Sequence, residues 1–165
     1  MMEITRYNTG GRRFLAAIID GIVFYPIVFI NNWIFEPGKS ESLIVTWTIF
    51  ITIISTLYSV LLHYKYGQTV GKMAVRIKVV DVSETRNMTF RQSFFRDCIY
   101  ILIELLAVIY IVSISGTFSD KLESYNNIVS NAQLLWILIE LITMFTNSKR
   151  RALHDYIARS VVIRV

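Results

Sequence analysis

The chain has 165 residues, 54% of them hydrophobic, and a mean hydropathy of +0.50. Soluble domains keep the apolar fraction nearer about 45–50%, so composition argues against a water-soluble globule. The formal net charge of +5 arises from 17 Lys and Arg against 12 Asp and Glu; its distribution points to a membrane surface and not to nucleic acid.

The apolar residues fall in four blocks, predicted as spans at about 14–35, 43–63, 96–118 and 128–147. Each is close to the ~20 residues that cross ~30 Å of hydrocarbon at 1.5 Å per residue. Lipid offers no partner to free backbone groups, so such segments must be helices. The expected fold is an all-α membrane protein, a four-transmembrane-helix bundle forming one domain over 1–165.

Fifteen of the 17 basic residues lie before the first block, from the end of the second to the entry of the third at Arg96, or after the fourth. The two remaining connections hold only Lys39 and Lys121, beside Glu36, Glu41, Asp120 and Glu123. The excess of Lys and Arg on one side predicts that both termini and the central segment are cytoplasmic. A basic face of this kind also attracts anionic lipid.

In the first block, Arg12 and Arg13 precede an apolar run that contains Asp20 and lacks a small-residue cleavage site, so it is expected to stay as an anchor. Pro26 removes a backbone donor inside it. Pro37 and Gly38 read as a short turn. The second block ends at His63, Tyr64 and Tyr66, an interfacial aromatic cluster.

The central segment changes character. Gly67-Gln68-Thr69-Val70-Gly71-Lys72 reads as a tight polar turn. In Val75 to Asp81, Val75, Ile77 and Val79 alternate with Arg76 and Lys78, the period of a strand with one buried face. A lone strand is not stable in water, and the comparable segment is Ser160–Val165. The expectation is a small cytoplasmic strand pair, 75–82 with 160–165. Thr89 and Gln92 have the spacing of a capping box, which starts the third helix near Phe90. The segment from Ser115 to Asn127 reads as a short polar outer loop.

Ionisable residues inside a membrane cost about 2.5–3.5 kcal/mol each on insertion scales. Asp20, Glu104 and Glu140 each lie near the middle of a block, and are the candidates for binding a solute or proton. Arg13 and Asp20 are two helical turns apart and share a face, as do Asp97 and Glu104. The alternative is that these acids hold helices together through hydrogen bonds worth roughly 0.6–2 kcal/mol. At the cytoplasmic ends, Asp81 and Asp155 have Arg13, Arg91, Arg96 and Arg151 as candidate ion-pair partners, with His154 beside them. His63 and His154 lack ligand spacing, Cys98 is the only cysteine, and no phosphate-loop or hydrolase motif occurs. Neither a metal, a cofactor nor enzyme activity is expected.

Several residues form an ordered pattern: Arg13-Phe-Leu-Ala-Ala-Ile-Ile-Asp20, then Gly67-Gln68-Thr69-x-Gly71-Lys72 leading to Ile77-x-Val79-Val80-Asp81, then Arg91 and Arg96, then Arg151-x-x-His154-Asp155-x-x-Ala158-x-Ser160-Val161-Val162. The pattern resembles the RDD family of bacterial membrane proteins, named for one arginine and two aspartates, and covers nearly the whole chain. By position these are Arg13, Asp20 and Asp155. Ser160 stands where the family has Thr, and Arg159 where a small residue is common. The resemblance implies a multi-pass protein of the bacterial cell membrane with a role in transport. Some members look like cation/proton antiporters and others like regulators of a partner such as a membrane-bound protease. Two readings follow: a cation/proton transporter working as a homo-oligomer, or an accessory or inhibitory subunit bound to another membrane protein.

Overall fold

The computed structural model describes residues 6–36, 39–113 and 117–165. Four long helices dominate them: α1 (Gly10–Ile34), α2 (Glu41–Tyr66), α4 (Phe90–Ser113) and α5 (Phe118–Phe145). Two short helices, α3 (Val70–Ala74) and α6 (Leu153–Ile157), and two strands, β1 (Ile77–Asp81) and β2 (Ser160–Arg164), complete the described elements.

Among the described residues, three helical stretches are long and apolar enough to cross a membrane: Gly10–Ile34, Glu41–Tyr66 and Asp120–Phe145. They turn large apolar side chains outward; Phe14 is 71% exposed, and Ile22, Phe29, Ile142 and Phe145 are similarly uncovered. In water such a surface would drive aggregation; against hydrocarbon it is the expected one. α1 continues without a break through Pro26. α4 packs between α2 and α5, while α1 makes its broadest contact with α3.

The dry core lies elsewhere, at one end of the helices. There β1 pairs antiparallel with β2, Val79 opposite Val162. One face buries Ile77, Val79 and Val162 with Ala16 and Met88; the other buries Val80, Val161 and Ile163 with Tyr7. Each buried aliphatic side chain contributes about 1.5–3 kcal/mol. The expected strand pair is therefore present.

Its boundary is corrected. The first strand begins at Ile77, not Val75, because Val75 caps α3 and Arg76 adopts a left-handed φ of 55°. The expected polar turn is also only partly a turn. Gly67 closes α2 at φ 73°, and the chain then forms α3, started by the Thr69 hydroxyl accepting from Lys72 N.

The outer connection is corrected more strongly. Thr117 caps α5 by accepting from Asp120 N, so residues 118–127 are helix and not loop. Their polarity tracks solvent, not backbone conformation. The turn expected at Pro37 and Gly38, and the start of that outer connection at Ser115, lie outside the described residues. The capping box is formed: Thr89 N donates to Gln92 Oε1 at 2.9 Å and Gln92 N to Thr89 Oγ1 at 3.3 Å.

Candidate functional site

Two polar constellations stand out among the described residues. The first fastens the helix ends beside the sheet. Asp155 is fully buried at the start of α6 and accepts from Arg13 Nη1 at 2.8 Å and Arg96 Nη1 at 2.5 Å. Ala152 N and the Ser160 hydroxyl also donate to it. Burial alone raises the Asp155 pKa, but Arg96 and Arg13 outweigh it and hold the carboxyl well below the usual carboxylate range. Arg13 further donates to the Arg150 carbonyl at 2.9 Å.

Arg96 Nη2 lies 2.7 Å from His154 Nε2. Arginine only donates, so His154 Nε2 accepts, and its Nδ1 proton faces the Glu140 carboxylate. A continuous chain thus runs Arg13, Asp155, Arg96, His154, Glu140, tying α1, α6, α4 and α5 together.

Asp81 does not join this layer. Ser83 N donates to it first among its partners, with the Gln92 amide at 2.6 Å and Arg86 at 3.3 Å, and together they lower its pKa. Of its expected arginine partners, Arg91 instead lies over the Phe95 ring, and Arg151 donates to the carbonyls of Ser160 and Asp155. Proximity in the sequence pattern did not show that the β1 turn supplies its own cation, Arg86.

Asp20 acts two turns further along α1. Its carboxylate accepts from the Thr69 hydroxyl at 2.6 Å, the Tyr58 hydroxyl at 2.7 Å and Gly71 N at 2.8 Å. It satisfies a free amide at the start of α3 and so clamps that helix to α1. A Cβ on Gly71 would stand 2.1 Å from the Ala16 carbonyl oxygen, so only glycine permits the approach. Lys72, next along α3, donates to His63 Nε2 at 2.9 Å, and His63 Nδ1 lies 3.2 Å from the Ser59 hydroxyl. Burial pushes the Lys72 amine down to about 8, the charges of Arg96 and Arg13 adding to the shift and Asp20 and Asp97 opposing it.

The second constellation is a cavity of about 470 Å³ between α2, α4 and α5, reached by Asn31 of α1 and by Phe35 at its C-terminal cap. Asp97 and Glu104 of α4 line it, with Tyr100 and Ile101 between them. Glu104 accepts from the Tyr125 hydroxyl at 2.8 Å and the Gln133 amide at 3.0 Å. Asp97 Oδ2 is buried with no hydrogen-bond partner among the described residues. The facing wall is the hydroxyl row of α2, including Thr48, Thr52 and Ser55.

The RDD family model matches residues 7–159. This chain belongs to the RDD family. No curated protein and no solved structure matches it. Of the RDD residues, Arg13 and Asp155 form one buried ion pair, whereas Asp20 caps α3. Of the three acids singled out in the sequence, Glu104 lines the cavity; Asp20 and Glu140 do not, being turned to α3 and to His154. Asp97 is the second cavity acid, and the seven-residue spacing to Glu104 was its only sequence signal.

Proposed function

We propose that this RDD protein binds a small cation in the α2–α4 cavity and carries it across the bilayer in exchange for protons. The observation that carries the reading is Asp97 Oδ2. A buried acceptor without a partner costs about 1–3 kcal/mol, and inside a membrane an ionisable group marks a solute path by default. A second carboxylate in the same cavity reinforces the preference for positive charge.

In this reading α4 is a fourth crossing. The start of α1, the end of α2 and the start of α4 meet the strand pair, and the end of α5 packs on α6 beside it, which supports an even number of crossings. The Lys and Arg excess at that end favours placing it, with both termini, on the cytoplasmic side of a bacterial cell membrane. Four helices leave little room for an alternating site, so the reading includes assembly into an oligomer.

The test is flux into proteoliposomes holding a proton-sensitive dye under an imposed pH gradient. Pulses of Na+, K+ or an organic ammonium salt should release protons, and Asp97→Asn or Glu104→Gln should abolish the response. Silence toward every cation, from protein that is folded and inserted, would overturn the proposal and favour an accessory subunit that acts through a partner.

A further inference from the structure

The cavity is far larger than a bare inorganic cation needs, and its two charges are not adjacent. Asp97 and Glu104 are seven residues apart on α4, a rise of about 10.5 Å. Tyr100 and Ile101 line the same cavity between them. The wall therefore runs acid, aromatic and aliphatic surface, acid. It is a two-point charge pattern with an apolar middle.

The opposite wall has a matching bias. The hydroxyl of Thr48 donates to the Ile44 carbonyl, that of Thr52 to the Thr48 carbonyl and that of Ser55 to the Thr52 carbonyl. Their protons are spent on their own helix, so each oxygen has only lone pairs left for a ligand. The Tyr125 hydroxyl and one proton of the Gln133 amide are likewise spent on Glu104, and the Trp47 indole donates to Asn31 Oδ1 at 2.6 Å. Acceptors and negative charge predominate on these walls, beside the Asn31 amide and the Thr56 hydroxyl. Such a lining suits a ligand rich in N–H donors.

We propose that the cavity takes a linear α,ω-diamine, one ammonium on Asp97 and the other on Glu104, with the methylene chain along Tyr100 and Ile101. With the carboxylates set about as far apart as their helix positions, charge-assisted contacts of about 2.8 Å at each end leave roughly 5 Å or slightly more between the nitrogens. A chain of three to five carbons spans that distance at the usual bond lengths. Two ammonium ions neutralise two carboxylates, so the loaded cavity carries no net charge into the bilayer. The inference rests on the cation reading above and specifies its substrate class.

Calorimetric titration of the full chain in mild detergent tests it, with the diamines from two to eight carbons, 1-aminobutane, Na+ and K+ as probes. Affinity should peak at three to five carbons and exceed that of 1-aminobutane by about tenfold or more. Asp97→Asn and Glu104→Gln should each bring 1,4-diaminobutane down to the affinity of the monoamine. The chain-length series uses the unaltered protein, so it stands even where a variant fails to fold. Equal binding of diamine, monoamine and Na+ would overturn the two-point site while leaving the cation reading intact. Absence of binding by any of these probes would overturn both.

Discussion

Arg13 and Asp155, 142 positions apart, meet at 2.8 Å and join the first helix to the last. Arg96 completes the triad from α4 at 2.5 Å. The carboxylate is the sole acid between two guanidiniums that are themselves largely covered, 13% and 5% exposed. Its loss would leave two buried positive charges facing each other.

Asp155→Asn keeps the shape and removes the charge. Breaking a buried ion pair by deleting one partner costs about 3–5 kcal/mol. The variant should therefore show a Tm in detergent well below that of the parent. A matched Glu123→Gln change on the exposed start of α5 should leave Tm nearly unaltered. Equal Tm for parent and Asp155→Asn would show that the triad does not hold the helix ends.

The same residue sets an acid limit. The folded pKa of Asp155 is depressed, burial being outweighed by Arg96 and Arg13. Its contribution is complete above the unfolded value of about 3.9 and is lost as pH falls through the folded one. Stability measured from pH 7 downward should hold to about pH 4 and then decline, and Asp155→Asn should show a shallower decline.

Gly71 and Gly21 make a controlled pair. At Gly71 an added Cβ meets the Ala16 carbonyl oxygen at 2.1 Å; at Gly21 nothing lies within 4 Å. Gly71→Ala must push α3 from α1 and loosen the Asp20 cap, a cost of about 1–3 kcal/mol or more by overpacking. Gly21→Ala, in a helix interior, should be neutral or raise stability by up to about 1 kcal/mol. Thermal unfolding of both variants reads the difference directly.

The long helices and the strand pair were legible because hydropathy and the alternation of Ile77, Lys78 and Val79 are local properties. The fate of each acid was not. Asp20, Glu104 and Glu140 look alike in sequence, each a lone carboxylate in an apolar run. What separates them is tertiary: Gly71 N and Thr69 reach Asp20, His154 reaches Glu140, and only Glu104 opens on the cavity. Five-residue α3 has no periodicity to read, and the helical start of α5 is hidden by its polar composition. The spacing puts Asp97 on the face of Glu104, but nothing local shows that its Oδ2 is left buried without a hydrogen-bond partner among the described residues.

Orientation is checked by labelling. In a Cys98→Ala background, single cysteines at Thr85, in the exposed turn after β1, and at Glu123 should behave oppositely toward a membrane-impermeant maleimide. Intact cells should label Glu123→Cys and not Thr85→Cys, and inside-out vesicles the reverse. The opposite pattern would invert the cytoplasmic assignment drawn from the Lys and Arg excess.

Lys72 gives the last prediction, opposite in sign to that of Asp155. Burial moves its amine from 10.5 to about 8, with Arg96 reinforcing the shift and Asp20 and Asp97 resisting it. Below pH 8 the amine is charged in both folded and unfolded chains, and the folded chain carries the full cost of covering that charge. As pH rises from about 8 to 10.5, the folded chain has shed the proton while the unfolded chain still holds it, so stability grows across that window. Solvent at the partly covered side chain limits the gain to about 1–3 kcal/mol. Lys72→Met keeps the length of the stem and cannot titrate. It should be more stable than the parent at pH 7, match it more closely near pH 10.5, and show no slope between. A parent whose Tm is flat from pH 8 to 10 would mean that the hydrogen bond to His63 and the nearby carboxylates hold the Lys72 charge at its ordinary pKa.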